Sequence, residues 1–232
     1  MRILAIDTAL GACAACVLDT SASKIIARES QAMQRGHAEA LMPLIARVMD
    51  EAGIAFTALD RIAVTTGPGS FTGLRVGLSA ARGIALAADR PAVGVTTLAA
   101  FAAPIVGLGL GRPVLSAIDA RHDQVYFQVV KGDGSLLVRP NVAPIEEALR
   151  AAEFGAPHLV GNAAAILASR WPADTPPPYR VNPQPAPDIS WIAWLGAAVS
   201  PESAPPRPYY LRAPDAKPSK DRLPHAPRPG AP

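Results

Sequence analysis

The stretch TTGPGSFTGLRVG, residues 65–77, follows a β-branched run and precedes a long apolar segment. A dinucleotide-binding fingerprint has glycines at its first, third and sixth positions, and a P-loop has a lysine and then Ser or Thr after its last glycine. The glycines here are Gly67, Gly69 and Gly73, and the residue after Gly73 is Leu74. Because neither pattern fits, the spacing favours a tight turn from a strand into a helix over a phosphate cradle.

The composition indicates a globular protein. Its 232 residues are 50% hydrophobic and 18% charged, which is enough to bury a core in one domain or in two small lobes. The net charge is +3, and residues 201–232 hold six Lys or Arg against three Asp or Glu, so the remaining residues carry 16 charges of each sign. A neutral body of this kind argues against independent binding of a polyanion such as RNA.

The amino terminus and the cysteines both favour a cytosolic protein. No apolar run reaches the length of a membrane span, and Asp7 interrupts the position where a secretory signal would keep its apolar core. We therefore expect a cytoplasmic protein without membrane contact. Cys13 and Cys16 form a CxxC, but residues three apart on a strand face opposite ways, and no second pair completes a zinc site. Two buried strand cysteines are predicted rather than a redox pair.

Apolar periodicity predicts alternating strands and helices in the first half of the chain. Predicted strands cover 2–8, 12–19, 24–30, 61–66 and 91–95. Predicted helices cover 36–53, 73–89 and 97–106. The glycines of the second helix lower its intrinsic helix propensity by about 1 kcal/mol each, so they require a structural reason. Close approach of another backbone along Gly73, Gly77 and Gly83 supplies one.

A second unit repeats the beginning of the first. The sequence AIDT at 5–8 recurs as AIDA at 117–120, and in both places it ends an apolar strand that a short loop joins to another strand. A hairpin signal at 131–134 follows, and the remaining predicted elements are a helix at 144–152, a strand at 158–162 and helices at 163–171 and 188–199. The order βββαβα therefore occurs twice, the second time abbreviated.

The predicted organisation is α/β with two lobes and a tail. The first lobe, 1–105, contains the partner-binding helices proposed below, and the second lobe is 106–213. Residues 214–232 form a basic, proline-rich tail that we expect to be disordered, because it has few large apolar residues to offset the loss of chain entropy.

Two tandem βββαβα units, each with an aspartate that closes its first strand, resemble the actin-like (ASKHA) fold of ATPases and sugar kinases. The chain also resembles the TsaB (YeaZ) family, bacterial paralogues of the TsaD/Gcp proteins, over residues 1 to about 216. The motifs that carry this resemblance are ILAIDTALGACAACVLD, HAEALMPLI, TTGPGSFTGLRVGLSAARGIA and PYYLRAPDA. The glycine-rich motif is highly specific, whereas the second lobe matches mainly by its pattern.

The resemblance implies a non-catalytic scaffold required for the threonylcarbamoyladenosine modification of tRNA next to the anticodon. It implies binding to a TsaD-like catalytic subunit, recruitment of a TsaE-like ATPase, and a homodimer when the protein is alone. It implies that tRNA is contacted only indirectly, through the complex. No catalytic residue, metal or cofactor is expected in this chain itself.

An actin-like nucleotide site needs two hairpins that approach the phosphates closely from both sides. Asp7, Thr8 and Gly11 are the vestigial candidates for the first hairpin, but the second carries the bulky side chains of residues 121–124. We expect Asp7 and Asp119 to hold turns through backbone amides rather than to bind magnesium. An actin-fold ATPase or phosphotransferase that uses this residual site is the alternative function.

TsaD-type relatives bind metal through a helical His-x-x-x-His pair, and the matching positions here are His37 and Leu41. A single imidazole does not make a metal site, so His37 is expected at the start of a helix in contact with solvent or a partner. The other histidines, His122, His158 and His225, show no ligand spacing. A Gcp-like metallopeptidase is accordingly only a second alternative.

The helix at 73–89 is apolar nearly all round, so a single sheet does not cover it. We expect it to pair with the preceding helix and with equivalent helices of another chain. The predicted partner-binding residues are Leu41, Leu44, Ile45, Val48, Leu74, Arg75, Gly77, Leu78, Ala81 and Arg82. From the residues alone the alternative stays open that these side chains merely complete an internal core.

Overall fold

The computed structural model describes residues 1–212, which form two five-stranded mixed sheets. The strands of the first sheet are β1 (Arg2–Asp7), β2 (Ala12–Asp19), β3 (Lys24–Ala32), β4 (Arg61–Gly67) and β5 (Ala92–Thr96), in the order β3-β2-β1-β4-β5. The first three strands form an antiparallel meander, and β4 and β5 continue the sheet in parallel with β1.

The second sheet repeats this arrangement. Its strands are β6 (Val114–Asp119), β7 (Gln124–Val130), β8 (Leu136–Pro144), β9 (His158–Val160) and β10 (Arg180–Asn182), in the order β10-β9-β6-β7-β8. The common strand order confirms the duplicated actin-like α/β fold. The second unit is abbreviated in the length of its elements, since β9 and β10 have three residues each.

The helices lie close to their predicted positions. They are α1 (His37–Ala52), α2 (Phe71–Ala88), α3 (Thr97–Val106), α4 (Ile145–Leu149), α5 (Ala164–Ser169) and α6 (Ile189–Ala198). The helix predicted at 144–152 is shorter, because α4 passes into a 3-10 turn at Arg150–Phe154. Strand β10 has no counterpart among the predicted elements, because three residues in a proline-rich stretch carry no periodicity of their own.

Two helices are exchanged between the sheets. Helices α1 and α2 cover one face of the first sheet, and α6, from the end of the chain, covers the other. Helix α3 belongs in sequence to the first unit but packs through Leu98 and Phe101 against Val114 and Ile118 of the second sheet. The predicted boundary between the two lobes, at residues 105 and 106, therefore falls at the end of a helix that packs on the second sheet. This boundary stays a proposal.

Strand β2 separates its two cysteines as predicted. Cys13 packs with the α1 and α2 side of the sheet, whereas Cys16 packs with the α6 side. Both are free and buried, and burial raises the pKa of Cys13 to about 11 and that of Cys16 to about 12. Because the thiolate is the reactive species in disulfide and metal chemistry, these pKa values oppose a redox role.

The last described residues return to the first sheet. Ala204 accepts a hydrogen bond from the backbone of Gly94 (2.8 Å), and Tyr209 donates one to Thr66 (2.8 Å), so the segment 204–212, here called the C-terminal strap, follows the edge at β5. Arg82 of α2 holds it through the carbonyl of Pro206 (3.0 Å). The tail predicted at 214–232 lies outside the described residues. None of the helices within 1–212 has the length and apolar character needed to cross a membrane.

Candidate functional site

The glycine-rich stretch makes the predicted turn from β4 into α2. Gly67 adopts a left-handed backbone conformation (φ 108°), and Ser70 caps the helix by accepting a hydrogen bond from the backbone of Gly73 (3.3 Å). The helix begins at Phe71, two residues before its predicted start.

The loop after β1 fills the space that the glycines leave. Ala9 accepts a hydrogen bond from the backbone of Ser70 (2.7 Å), and the Thr8 hydroxyl donates one to the carbonyl of Gly73 (2.7 Å). An added Cβ at Gly73 would lie 2.1 Å from the Thr8 carbonyl oxygen, and one at Gly77 would lie 2.5 Å from the Thr8 hydroxyl. The close approach predicted for Gly73 and Gly77 is thus real, and the chain's own loop makes it. A Cβ added at Gly83 would meet no atom of another described segment within 4 Å.

Asp7 holds the loop that follows it. One carboxylate oxygen accepts hydrogen bonds from the backbone of Ala9 (2.9 Å) and the hydroxyl of Thr65 (2.6 Å), and the residue is fully buried. Burial raises the pKa of Asp7 against the opposing effect of these hydrogen bonds. Asp119 accepts from the backbone of Arg121 (2.7 Å) at the equivalent place in the second unit. Both aspartates bond to turn amides, as expected.

A cleft of about 600 Å³ lies between the two sheets. It is lined by Gly11, by Arg121 of the second hairpin, by the turn into α2 and by the end of the strap. Residues 121–123 all have left-handed backbones (φ 53–62°), although none is glycine. Of the vestigial nucleotide candidates only Gly11 faces this cleft, because Asp7 and Thr8 are buried beneath the loop.

His37 begins α1 as predicted. The residue is 9% exposed and lines the cleft, and its Nε2 lies 3.2 Å from the carbonyl oxygen of Leu10, so the imidazole also joins the helix to the first hairpin. Leu41, at the second position of the metal motif, is buried in the core. Within 1–212 no group of three or more His, Cys, Asp or Glu side chains is arranged to hold a metal ion.

Most of the predicted partner-binding residues lie inside the protein. Arg75 and Arg82 are exposed, whereas the other eight are buried, namely Leu41, Leu44, Ile45, Val48, Leu74, Gly77, Leu78 and Ala81. The apolar stripes on which these eight residues lie pack against the first sheet and against each other. The assignment of these residues to a partner surface stays a prediction, and the exposed side chains of the two helices lie on their outer faces.

The outer faces enclose an apolar groove of about 570 Å³, here called the α1–α2 groove. It is lined by Ala38, Leu41, Met42, Phe71, Thr72, Arg75, Val76, Ser79 and Ala80. Met42 is 50% exposed and Phe71 36% exposed, and Leu86 farther along α2 is 86% exposed. Sequence reasoning missed Met42, Phe71 and Val76, although their exposure follows once the inner stripe of each helix is known.

The sequence is similar to proteins that modify tRNA. The sequence model for TsaD, tRNA N6-adenosine threonylcarbamoyltransferase, matches residues 24–178. The tRNA threonylcarbamoyladenosine biosynthesis protein TsaB of Haemophilus influenzae is 36% identical over 132 residues, which are 56% of this chain and 55% of that protein. The chain thus spans about half the length of the TsaB relatives that it matches.

Two further comparisons cover nearly the whole chain. An uncharacterized protein of Mycobacterium tuberculosis is 32% identical over 219 residues, 93% of this chain and 94% of that protein. The solved structure of YeaZ from Pseudomonas aeruginosa has a TM-score of 0.75 at 29% identity, covering 90% of this chain and 99% of that one. These matches agree with the strand order and with the motifs.

Proposed function

This chain belongs to the TsaD family of tRNA N6-adenosine threonylcarbamoyltransferases and resembles its TsaB (YeaZ) members, and we propose that it is a non-catalytic subunit required for threonylcarbamoyladenosine modification of tRNA. Its partner is a TsaD-like catalytic subunit, and the assembly recruits a TsaE-like ATPase. The protein forms a homodimer when alone, acts in the cytoplasm, and meets tRNA only through the complex.

The intramolecular hydrogen bonds of three polar side chains favour a supporting role. The Thr8 hydroxyl is bonded to Gly73, one oxygen of Asp7 is bonded to Thr65 and Ala9, and the ring of His37 is bonded to Leu10. These hydrogen bonds give the Thr8 hydroxyl, one oxygen of Asp7 and one ring nitrogen of His37 a role in holding the fold together. The shape of the protein, rather than its chemistry, is what it contributes.

The observation that carries the proposal is the α1–α2 groove. Met42 and Phe71 expose apolar surface beside the small side chains of Ser79 and Ala80, and Gly83 continues this small-residue line along α2. Exposed apolar patches rimmed by polar residues commonly mark protein interfaces. A helix with small outer residues lets another helix approach closely, so the groove suits a helical partner.

Val76→Arg tests this surface. Val76 lines the groove and is half-buried, so the arginine should leave the fold intact while its charge and bulk exclude the partner. We expect the variant to lose co-purification with the TsaD-like protein and to keep the melting temperature of the wild type. Leu78 and Gly77 are unsuitable for this purpose, because both are buried and their replacement would disturb the core.

Val181→Arg is the matched control. Val181 lies on β10 of the second sheet and is 39% exposed, so the same change of side chain is made far from the groove. This control should bind the TsaD-like protein normally. Full complex formation by Val76→Arg would refute the assignment of the groove.

A further inference from the structure

Arg75 lies on the groove in a defined position. Its guanidinium carbon is 3.8 Å from the centroid of the Phe71 ring, one helical turn earlier on α2. The other neighbour of that ring is Tyr210 of the C-terminal strap, with centroids 5.3 Å apart and planes tilted by 31°. A cation over an aromatic face is attracted by the ring quadrupole, so Phe71 holds the guanidinium at the surface.

Within the described residues, no carboxylate forms an ion pair with Arg75. The ion pairs within residues 1–212 are Arg2–Asp19, Arg47–Glu29 and Arg170–Asp123, and none includes Arg75. Arg75 is also the only charged residue among those described that line the groove, since the acidic residues of α1, Glu39, Asp50 and Glu51, do not line it. The groove is therefore apolar with a single positive charge at one side.

Any partner that covers the groove removes water from this guanidinium. Burial of an unpaired charge is strongly unfavourable, whereas a hydrogen-bonded carboxylate offsets much of that cost. The charge of Arg75 therefore affects which partner binds. The apolar lining attracts many apolar surfaces and so discriminates between partners less than the charge does.

A second copy of this chain is a poor match by this criterion. A two-fold dimer applies the same patch from both sides, so groove meets groove. Each copy then brings one arginine and no lining carboxylate, and both guanidinium groups lose water without an opposite charge. A different partner is free to present an acidic side chain at this point.

We propose that Arg75 makes the α1–α2 groove selective for a helix that carries a carboxylate, and so favours the TsaD-like subunit over a second copy of this chain. This inference rests on the proposed function, because it concerns the same surface. Arg75 acts as a specificity determinant, and Phe71 and Tyr210 act as the support that positions it.

Three variants of Arg75 test the proposal. Arg75→Met keeps an apolar stem without the charge, Arg75→Glu reverses the charge, and Arg75→Lys conserves it. Calorimetry should show affinity for the TsaD-like protein reduced about 10-fold in Arg75→Met and further in Arg75→Glu, with most of it retained in Arg75→Lys. Sedimentation should show the opposite for self-association, which Arg75→Met should strengthen.

Arg139→Glu is the control for net charge, since Arg139 is an exposed residue on β8 of the second sheet. It should change neither affinity. Rising salt should weaken the wild-type complex more than the Arg75→Met complex, because only the former contains the charge pair.

The outcomes separate the two proposals. If the wild type does not bind the TsaD-like protein, the proposed function fails and this inference fails with it. If the wild type binds and Arg75→Glu binds equally well, the inference alone is overturned. It is overturned as well if Arg75→Glu leaves protein binding unchanged but lowers the affinity of the assembled complex for tRNA, since Arg75 would then contact RNA.

Discussion

The polar residues that match site positions of related proteins hold turns and loops in this protein. Asp7 and Asp119 each accept hydrogen bonds from amides two residues later, as the sequence predicts for aspartates that follow a strand. His37 bonds to Leu10, an interaction between residues 27 apart that sequence spacing does not reveal. Residues that match a catalytic family by position therefore have structural roles here.

His158 is a second histidine with an unusual environment. It is 2% exposed, and neither ring nitrogen has a hydrogen-bond partner within the described part of the chain. Its ring centroid is 4.8 Å from that of Tyr179, and Arg112 stacks over the same tyrosine. Burial first, and then the charges of Arg180 and Arg112, lower the pKa of His158 below its ordinary value.

Acidification should destabilise the protein through His158. In the folded state burial favours the neutral ring, whereas the unfolded chain takes up a proton below about pH 6.5. The contribution of His158 to the free energy of unfolding is therefore complete above that pH and declines as the pH falls. His158→Phe should flatten the dependence of the free energy of unfolding on pH between about pH 7 and pH 5. Urea titrations at a series of pH values measure this slope.

The control for this measurement is His122→Asn, because His122 is exposed and asparagine tolerates its left-handed backbone. The control should keep the wild-type slope. An unchanged slope in His158→Phe would show that the ring titrates in the folded protein as it does in the unfolded chain.

At the scale of elements, α2 shows how one helix serves two surfaces. Its inner stripe meets the first sheet and the loop after β1, and its outer stripe lines the groove. The glycines belong to different stripes, since Gly73 faces Thr8 and Gly83 faces open space. Glycine therefore allows close packing at position 73, whereas at position 83 no other described segment approaches it.

Alanine at the two glycines should have opposite effects on stability. In Gly73→Ala the new methyl group meets the backbone of Thr8, so we expect a loss of about 1–3 kcal/mol from overpacking. In Gly83→Ala nothing opposes the methyl group, and the gain in helix propensity should stabilise the protein by up to about 1 kcal/mol. Denaturant unfolding compares both with the wild type. Equal effects at the two positions would contradict the packing against Thr8.

At the scale of the whole molecule, the exchange of helices joins the two units. Helix α6 returns to the first sheet, where Arg61 of β4 donates hydrogen bonds to the carbonyls of Gly196 (2.8 Å) and Val199 (2.6 Å) at its end. Helix α3 is held by the second sheet. The cleft lies between the two units that these helices join.

Titration of the isolated protein with Mg·ATP distinguishes the scaffold from the alternative of an ATPase. We expect little or no heat, because Ala9 and Thr8 fill the side of Gly69 and Gly73 on which a Cβ would lie, and the second hairpin presents the bulky side chains of residues 121–124. Asp7→Asn preserves the hydrogen-bonding geometry and serves as the comparison. A saturable heat in the wild type that this variant loses would establish a working nucleotide site and contradict the scaffold.

The sequence by itself determined the elements and their order. Apolar runs bounded by turn residues are a local property of the sequence, so β2 and α3 match their predicted bounds, and the repeated AIDT and AIDA mark the duplication. The opposite directions of Cys13 and Cys16 follow from the strand repeat alone. Motifs of this length also suffice to indicate the family.

Tertiary structure decided what each apolar surface contacts. Leu41, Leu78 and Ala81 are as apolar as Met42 and Val76, and only the assembled sheet shows that the first three are covered and the last two are available. The packing of α3 on the second sheet and of α6 on the first also joins segments far apart in sequence. The same is true of the contact of Thr8 with Gly73 and Gly77. The hydrophobic effect drives burial without specifying a partner, so periodicity predicts that a face will be covered and the fold determines by what.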